Sequence, residues 1–481
     1  MTAVADELAW LSLRELSALL TAGELSATQT VSAHVERVAR LNPALNAVVT
    51  WEPETALASA RAVDDARAAG VPLGPLAGVP MTHKDTHEVA GMRTTWGSPI
   101  RAHHVSERDC LVVARLRAAG VIATGKTNVP EFAAGAHTFN PLFGTTVNPY
   151  DPTRSAAGSS GGAAAVIAAG IQPAGDGSDT GGSLRLPASF TNLVGLRPTD
   201  GWLPHAIPEN PWEWLSQDGF MARSVSDVAL LMELCSGPAA LAPQSRCEPG
   251  GFTGPAFDAD ADWEPELRTL RVGFAPDLGG RIEVEAEVAE IVGSAAQVFD
   301  DLGARVAWEA PDLTAAAGVF RVARAFEFGF NYGSLLDAHA QQLKPALRAN
   351  IQAGLDLSRA DIFDALRERA QLLTAMGDFF ARCDVLVTVT SQVLPFDSDL
   401  EYPAELNGAR VTDYLAWMEA TTLISATGCP AVSVPAGFSA AGLPVGLQIV
   451  GRPGVDAQVL RVARAFELAT GWGQRRPELA V

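Results

Sequence analysis

The sequence predicts an α/β fold, a β-sheet flanked on both faces by α-helices and preceded by a helical N-terminal region. Three observations predict it. Residues 1–70 carry helix starts and stops. From about residue 71, short apolar runs alternate with Gly-rich turns and helical stretches. Hydrophobic residues make up 48% of the chain, enough to fill the core that such layers enclose.

The elements follow in order. Ser12-Leu13-Arg14-Glu15 is a capping box, and Ser26 with Gln29 is a second. In each, the serine hydroxyl takes an orphan N–H while the third side chain on reaches back. Val31, Val35, Val38 and Leu41 then keep helical spacing. Gly23 and Gly70 stand where helices stop. Asp109 to Gly120 predicts another helix, and Val121 to Thr124 a strand. Gly161 to Gly170 predicts a helix of small residues that can pack closely. Leu270 to Ala275, Val385 to Thr390, Ala431 to Val434 and Val445 to Val450 predict strands, and a helix follows Asp456. Ala240 to Asp262, rich in Pro, Gly, Ala and Asp, predicts a surface loop.

Bulk properties narrow the function. No apolar run approaches the roughly 20 residues of a spanning helix. Met1 to Trp10 holds Asp6 and Glu7 with no basic flank, unlike a signal peptide. Cys110, Cys235, Cys247, Cys383 and Cys429 are scattered and never in CxxC spacing. They predict reduced thiols in a cytoplasmic protein, with no disulfide framework and no zinc site. A formal net charge of −20, with no basic cluster to offset it, argues against nucleic-acid and membrane partners.

The chemistry concentrates between Gly78 and Thr199. This stretch holds Gly78-Val79-Pro80-Met81-Thr82-His83-Lys84-Asp85, Gly125-Lys126-Thr127-Asn128 and Gly158-Ser159-Ser160-Gly161-Gly162. It ends with Gly175 to Pro187, which includes Asp179-Thr180-Gly181-Gly182-Ser183-Leu184-Arg185. Glycines before a serine let successive backbone N–H groups converge into an anion-binding nest. A nest beside a hydroxyl suits acyl transfer, because it can hold the oxyanion formed when the hydroxyl attacks a carbonyl. The serine also needs a base. None of the eight histidines lies in a Gly-rich block of the Ser-His-Asp kind. A lysine can serve once burial has made it neutral, since its ordinary pKa is about 10.4. Lys84 follows the apolar run Leu76 to Met81 and is one candidate; Lys126 is a competitor.

These blocks resemble the amidase signature, and the separation of Ser159 and Ser183 matches that family's. The resemblance implies a large mixed β-sheet core flanked by helices, and a Ser–cis-Ser–Lys triad. Ser183 would be the nucleophile, Ser159 the relay with a cis peptide bond, and Lys84 the base. The amides of Thr180, Gly181, Gly182 and Ser183 would form the oxyanion hole. Asp179, Arg185, Ser160 and Asn128 would support them, with no metal and no cofactor. Leu443 to Gln448 and Gly451-Arg452-Pro453 also resemble the family's C-terminal region. The implied organisation is a single domain over 1–481. It comprises a helical region 1–70, a catalytic core 75–200, a variable substrate-pocket region 201–420 and a return to the core over 421–481. The implied activity is hydrolysis of amides, with carbamates and esters as further substrates and a monomer or homodimer as the working unit.

Three literal patterns compete. Gly120 to Thr127 reads GxxxxGK[ST], the phosphate-loop pattern of an NTPase, but its strand candidate lies inside the supposed loop. Gly158 to Gly162 reads GxSxG, with Ser160 as nucleophile, but Asp151 to Ser155 does not read as the strand an elbow requires. His83 could be a metal ligand, though it reads better as a pocket-edge histidine. Trp202, Trp212, Trp214 and Phe220 predict an aromatic wall for the substrate, with Cys429 a buried neighbour of the pocket. This wall points to anilides and aryl carbamates first, with nylon-type amides as an alternative. It also departs from the A branch of the glutamyl-tRNA amidotransferases after Gly195 to Thr199.

Overall fold

The computed structural model describes residues 6–204, 210, 213–240, 242–246, 251–252, 267–411 and 413–479. Trp212, Cys247 and most of the Ala240–Asp262 loop lie outside the described residues.

Both capping boxes form. Ser12 starts the helix Leu13–Ala22, which stops at Gly23 with φ 75°. Ser26 starts Ala27–Leu45. Leu13 and Arg14 N–H also donate to the buried Asp227 carboxylate at 3.0 and 3.1 Å. That contact ties the N-terminal region to the helix Val225–Cys235.

Eleven strands carry the two sheets that frame the site. They are β1 Val48–Trp51, β2 Pro80–Lys84 and β3 Ile122–Thr127, then β4 Ala174–Asp179, β5 Val194–Arg197 and β6 Gln217–Ala222. After these come β7 Arg271–Phe274, β8 Arg305–Ala307, β9 Val385–Val389, β10 Ala431–Phe438 and β11 Pro444–Gly451. The smaller sheet has the order β1-β3-β2, with β3 antiparallel to β1 and parallel to β2. The larger has eight strands in the order β8-β7-β9-β11-β10-β5-β6-β4. It is mixed: β8, β7 and β9 run parallel, and every other neighbouring pair is antiparallel. Helices cover both of its faces. On β11, a Cβ at Gly446 would meet Ser189 of the helix Arg185–Phe190, and one at Gly451 would meet Val459 of Asp456–Thr470. An odd separation along a strand puts those two positions on opposite faces.

Three sequence readings can be compared with the structure here: the rejection of the phosphate loop agrees with it, and the other two need correction. Gly125, Lys126 and Thr127 belong to β3, and Lys126 is fully buried, so the phosphate-loop pattern is a core strand. Asp151–Ser155 is a strand after all, paired with Val147–Asn148 in a separate two-stranded ribbon. Local propensity hid it behind Asp151, Pro152 and Arg154. The third concerns the aromatic wall. Phe220 lies inside β6, whose six residues are all buried, and is itself 0% exposed. Trp202 is 2% exposed, and its indole N–H donates to Asp456 at 2.9 Å. Asp456 also accepts from Thr199 N–H and Oγ1 at 2.7 and 2.6 Å. Both aromatics are therefore core residues. No helix among the described residues is long and apolar enough to cross a membrane.

Trp202→Phe keeps an aromatic ring, though a smaller one, and leaves the buried Asp456 short of a donor. Stability should fall by about 1–3 kcal/mol in urea unfolding, while KM for any substrate stays unchanged.

Candidate active site

Lys84 ends β2 and is completely buried. Its Nζ lies 2.8 Å from Ser159 Oγ, 2.9 Å from Ser160 Oγ and 2.9 Å from Ser178 Oγ. The Ser178 carbonyl is farther, at 3.5 Å. Burial pulls this amine down to about 7, against the upward pull of Asp218, Asp179 and Asp176. Lys126, the competing base, donates instead to the His87 carbonyl and touches none of these serines.

Ser159 and Ser160 stand just before the helix Gly161–Ala168, and the Gly158–Ser159 peptide bond is cis. Thr138 holds this turn: its Oγ1 donates to the Ala157 carbonyl at 2.8 Å and accepts Gly161 N–H at 3.1 Å. Asn128 acts one layer back. Its carbonyl accepts Gly162 N–H at 3.3 Å, and its side chain binds Thr146, Gly144 and Asn140.

Ser183 lies in the turn after β4. Its carbonyl accepts Ser160 N–H at 3.2 Å, which joins the two serine loops. At 9% exposure it is more open than Ser159 at 1% or Lys84 at 0%. No hydrogen bond among the described residues joins its hydroxyl to Ser159, so the structure brings together Lys84 and Ser159 but leaves the last link open.

Asp179 organises that turn. Its carboxylate accepts Gly182 N–H at 2.7 Å and Leu184 N–H at 3.2 Å. It also accepts Arg185 Nε and NH2 at 3.0 and 2.9 Å. Burial opposes the Asp179 charge, but Arg185 overrides it and holds the carboxyl far below the usual range. Arg185 is anchored in turn by Gln448 Oε1, Ser425 Oγ and the Thr421 carbonyl. One expectation changes. Gly182 N–H is already committed to Asp179, so the amides with no acceptor among the described residues are those of Thr180, Gly181 and Ser183. Gly182 serves the turn by other means: its φ is 122°, and a Cβ there would come within 2.4 Å of Thr421 Oγ1.

The wall over this turn comes from elsewhere in the chain. A Cβ at Gly181 would lie 2.7 Å from Phe320 Cζ, on the helix Ala316–His339, and 3.1 Å from Thr422, on Glu419–Thr427. Trp214 instead lines a cavity of about 590 Å³ with Thr199, Asp200, Arg369 and Thr427, and no triad residue lines it. Arg369 stacks 3.5 Å from the Trp214 ring. Cys429 is 1% exposed, and burial pushes its thiol up to about 12, which makes it inert.

His83 is not at a pocket edge. It is 1% exposed, and its Nδ1 donates to Asp176 Oδ1 at 2.8 Å. No group of three or more His, Cys, Asp or Glu suited to a metal occurs among the described residues. Ser160 is 0% exposed, and its hydroxyl meets Lys84 Nζ at 2.9 Å and the Ser178 carbonyl at 3.4 Å. Sequence reasoning missed Ser178 and Asp176. They alternate with glycines along β4, a period of two that puts both on the face toward Lys84. Phe320 gave no local signal.

Known proteins share this architecture. The Amidase family model matches residues 29–460. The chain is 36% identical to the A-type component of the glutamyl-tRNA(Gln) amidotransferase of Moorella thermoacetica, over 99% of this chain and 100% of that one. It is 34% identical to an acylamidase of Rhodococcus erythropolis, over 98% of each. It also superposes on the crystal structure of a bacterial aryl acylamidase of the amidase signature enzymes, with a TM-score of 0.87, 28% identity and 97% coverage of each chain. With buried lysine, paired serines and a Gly-Gly-Ser turn on this framework, the chain belongs to the amidase signature family and is an amide hydrolase of that family.

Proposed function

We propose that this protein is a serine amidase for neutral aryl or alkyl amides, anilides first, working through an acyl-Ser183 intermediate. The observation that carries this reading is the 2.8 Å contact between a buried Lys84 amine and Ser159 Oγ, beside a turn with free amides. Neutral Lys84 accepts the Ser159 hydroxyl proton while Ser159 takes that of Ser183. The Ser183 oxygen bonds the carbonyl carbon, and the oxyanion forms on the amides of Thr180, Gly181 and Ser183. Ser159 returns a proton to the departing nitrogen as the C–N bond breaks. Water then cleaves the ester by the same relay and restores Ser183. The Ser159–Ser183 link closes on substrate binding, as catalytic hydrogen bonds commonly tighten in the complex.

Phe320, 2% exposed, packs against Gly181 and backs the turn with a side chain that carries no charge, and we take uncharged aryl or alkyl amides as the first substrates. The acylamidase and aryl acylamidase relatives support the same choice. A carbamate offers the same carbonyl to the same amides, so urethane hydrolysis accompanies it, and esters react through a better leaving group. The identity to the amidotransferase component favours a second reading, a chain that works in a complex. The purified chain should turn over anilides with water unaided; activity that needs further protein components would favour that second reading.

A fluorophosphonate should label Ser183, as mapped by peptide mass. Ser183→Ala should lower kcat by roughly a thousandfold or more, whereas label on Ser160 would overturn the assignment. The sign of the pH dependence follows from Lys84, whose neutral form is the active one. kcat/KM should rise with pH through about 7 and then level off; a maximum near pH 5 contradicts a lysine base.

A further inference from the structure

Behind Lys84 lies a buried cluster that the proposed mechanism does not use. It holds His83 on β2, His87 in the turn after it, Asp176 on β4 and Asp218 on β6, at 1, 6, 0 and 8% exposure. Asp176 Oδ1 meets His83 Nδ1 at 2.8 Å, and its Oδ2 meets His87 Nδ1. Oδ2 also accepts the Lys84 backbone N–H at 3.3 Å. On the other side, His87 Nε2 lies 3.2 Å from Asp218 Oδ1. Asp218 pairs in register with Ser178, whose hydroxyl touches the Lys84 amine.

The decisive feature is that both ring nitrogens of His87 face carboxylate oxygens. A neutral imidazole has one donor and one acceptor, and an ionised carboxylate has nothing to donate. Only the doubly protonated ring satisfies both contacts. His83 has one such contact. The other charged groups around the cluster have partners of their own: Lys126 on β3 reaches the His87 carbonyl and faces Asp85, while Asp179 is held by Arg185 and Arg197. Cys110, Glu88 and Asp109 also interact electrostatically with the cluster or with Lys126.

We propose that His87 is a permanent imidazolium counter-ion, a positioning residue whose charge offsets Asp176 and Asp218 and so lets Lys84 release its proton near neutral pH. Without it, two carboxylates would stand behind the amine and hold it as an ammonium. Burial lowers the His87 ring, but Asp218 and Asp176 raise it to about 9, in keeping with a ring charged throughout the working range. This inference rests on Lys84 acting as base.

The test is the acid limb of kcat/KM against pH for three proteins. His87→Gln leaves the carboxylates unbalanced, so the limb should move up by about one pH unit, a tenfold loss below it. Asp218→Asn removes one carboxylate while Asp176 still holds His87, so the limb should move down. Opposite displacements support the counter-ion; displacements in one direction, or none, overturn it. Should His87→Gln fail to fold, the wild-type protein still decides. Imidazole 15N spectra must show one histidine protonated at both nitrogens from pH 6 to 8, and a neutral tautomer at His87 refutes the proposal. Failure of the parent reading looks different, because the wild-type limb near neutrality would then be missing altogether.

Discussion

The Lys84 amine sits inside the protein with hydroxyl groups as its nearest partners. Ser159, Ser160 and Ser178 all lie within 2.9 Å, and no carboxylate among the described residues shares that contact distance. A carboxylate there would fix the amine as an ammonium and remove its lone pair. Hydroxyls can donate as well as accept, so they suit either protonation state. The surrounding carboxylates are set one shell back, close enough to keep the site from rejecting the proton altogether. The resulting balance, burial against distant negative charge, puts the amine near neutrality.

Everything else that positions the site serves this arrangement or the turn opposite it. The two halves come from different layers. Lys84 ends a strand of the three-stranded sheet, while Ser178 and Asp179 end the edge strand of the eight-stranded one. The all-buried helix Gly161–Ala168 starts directly after Ser160, where a Cβ on Gly162 would come within 2.4 Å of Asn128 N. Its small residues are what allow such close packing. The Asp179–Arg185 pair is wholly buried, and a buried ion pair is a poor source of stability by itself. Here its other hydrogen bonds are satisfied by Thr421, Ser425 and Gln448. The pair thereby locks the nucleophile turn to the C-terminal part of the chain.

Legibility in the sequence followed locality. The caps at Ser12 and Ser26 depend on side chains three residues apart, and both form as read. The catalytic blocks were legible because glycine and hydroxyl residues crowd at fixed offsets. The alternation of Asp176 and Ser178 was equally local and could have been read. The aromatic stretch misled because a run of Trp and Phe does not reveal which layer covers it. Trp202 and Phe220 are enclosed by Asp456 and by strands far away in sequence. Phe320 was illegible for the same reason: only the folded chain brings its helix over Gly181.

In the proposed mechanism, local residues carry the chemistry and distant ones pack against them. The proposed proton relay and amide turn lie within residues 84–183, and they are held by strand ends and by buried partners such as Arg185 and Thr138. The surface over the turn comes from the helices Ala316–His339 and Glu419–Thr427. Phe320 Cζ packs against Gly181 in that turn and is itself 2% exposed. Conversely, nothing in the relay distinguishes an amide from a carbamate, because both present the same carbonyl carbon and the same developing oxyanion. One catalytic frame can therefore serve many acyl and amine groups.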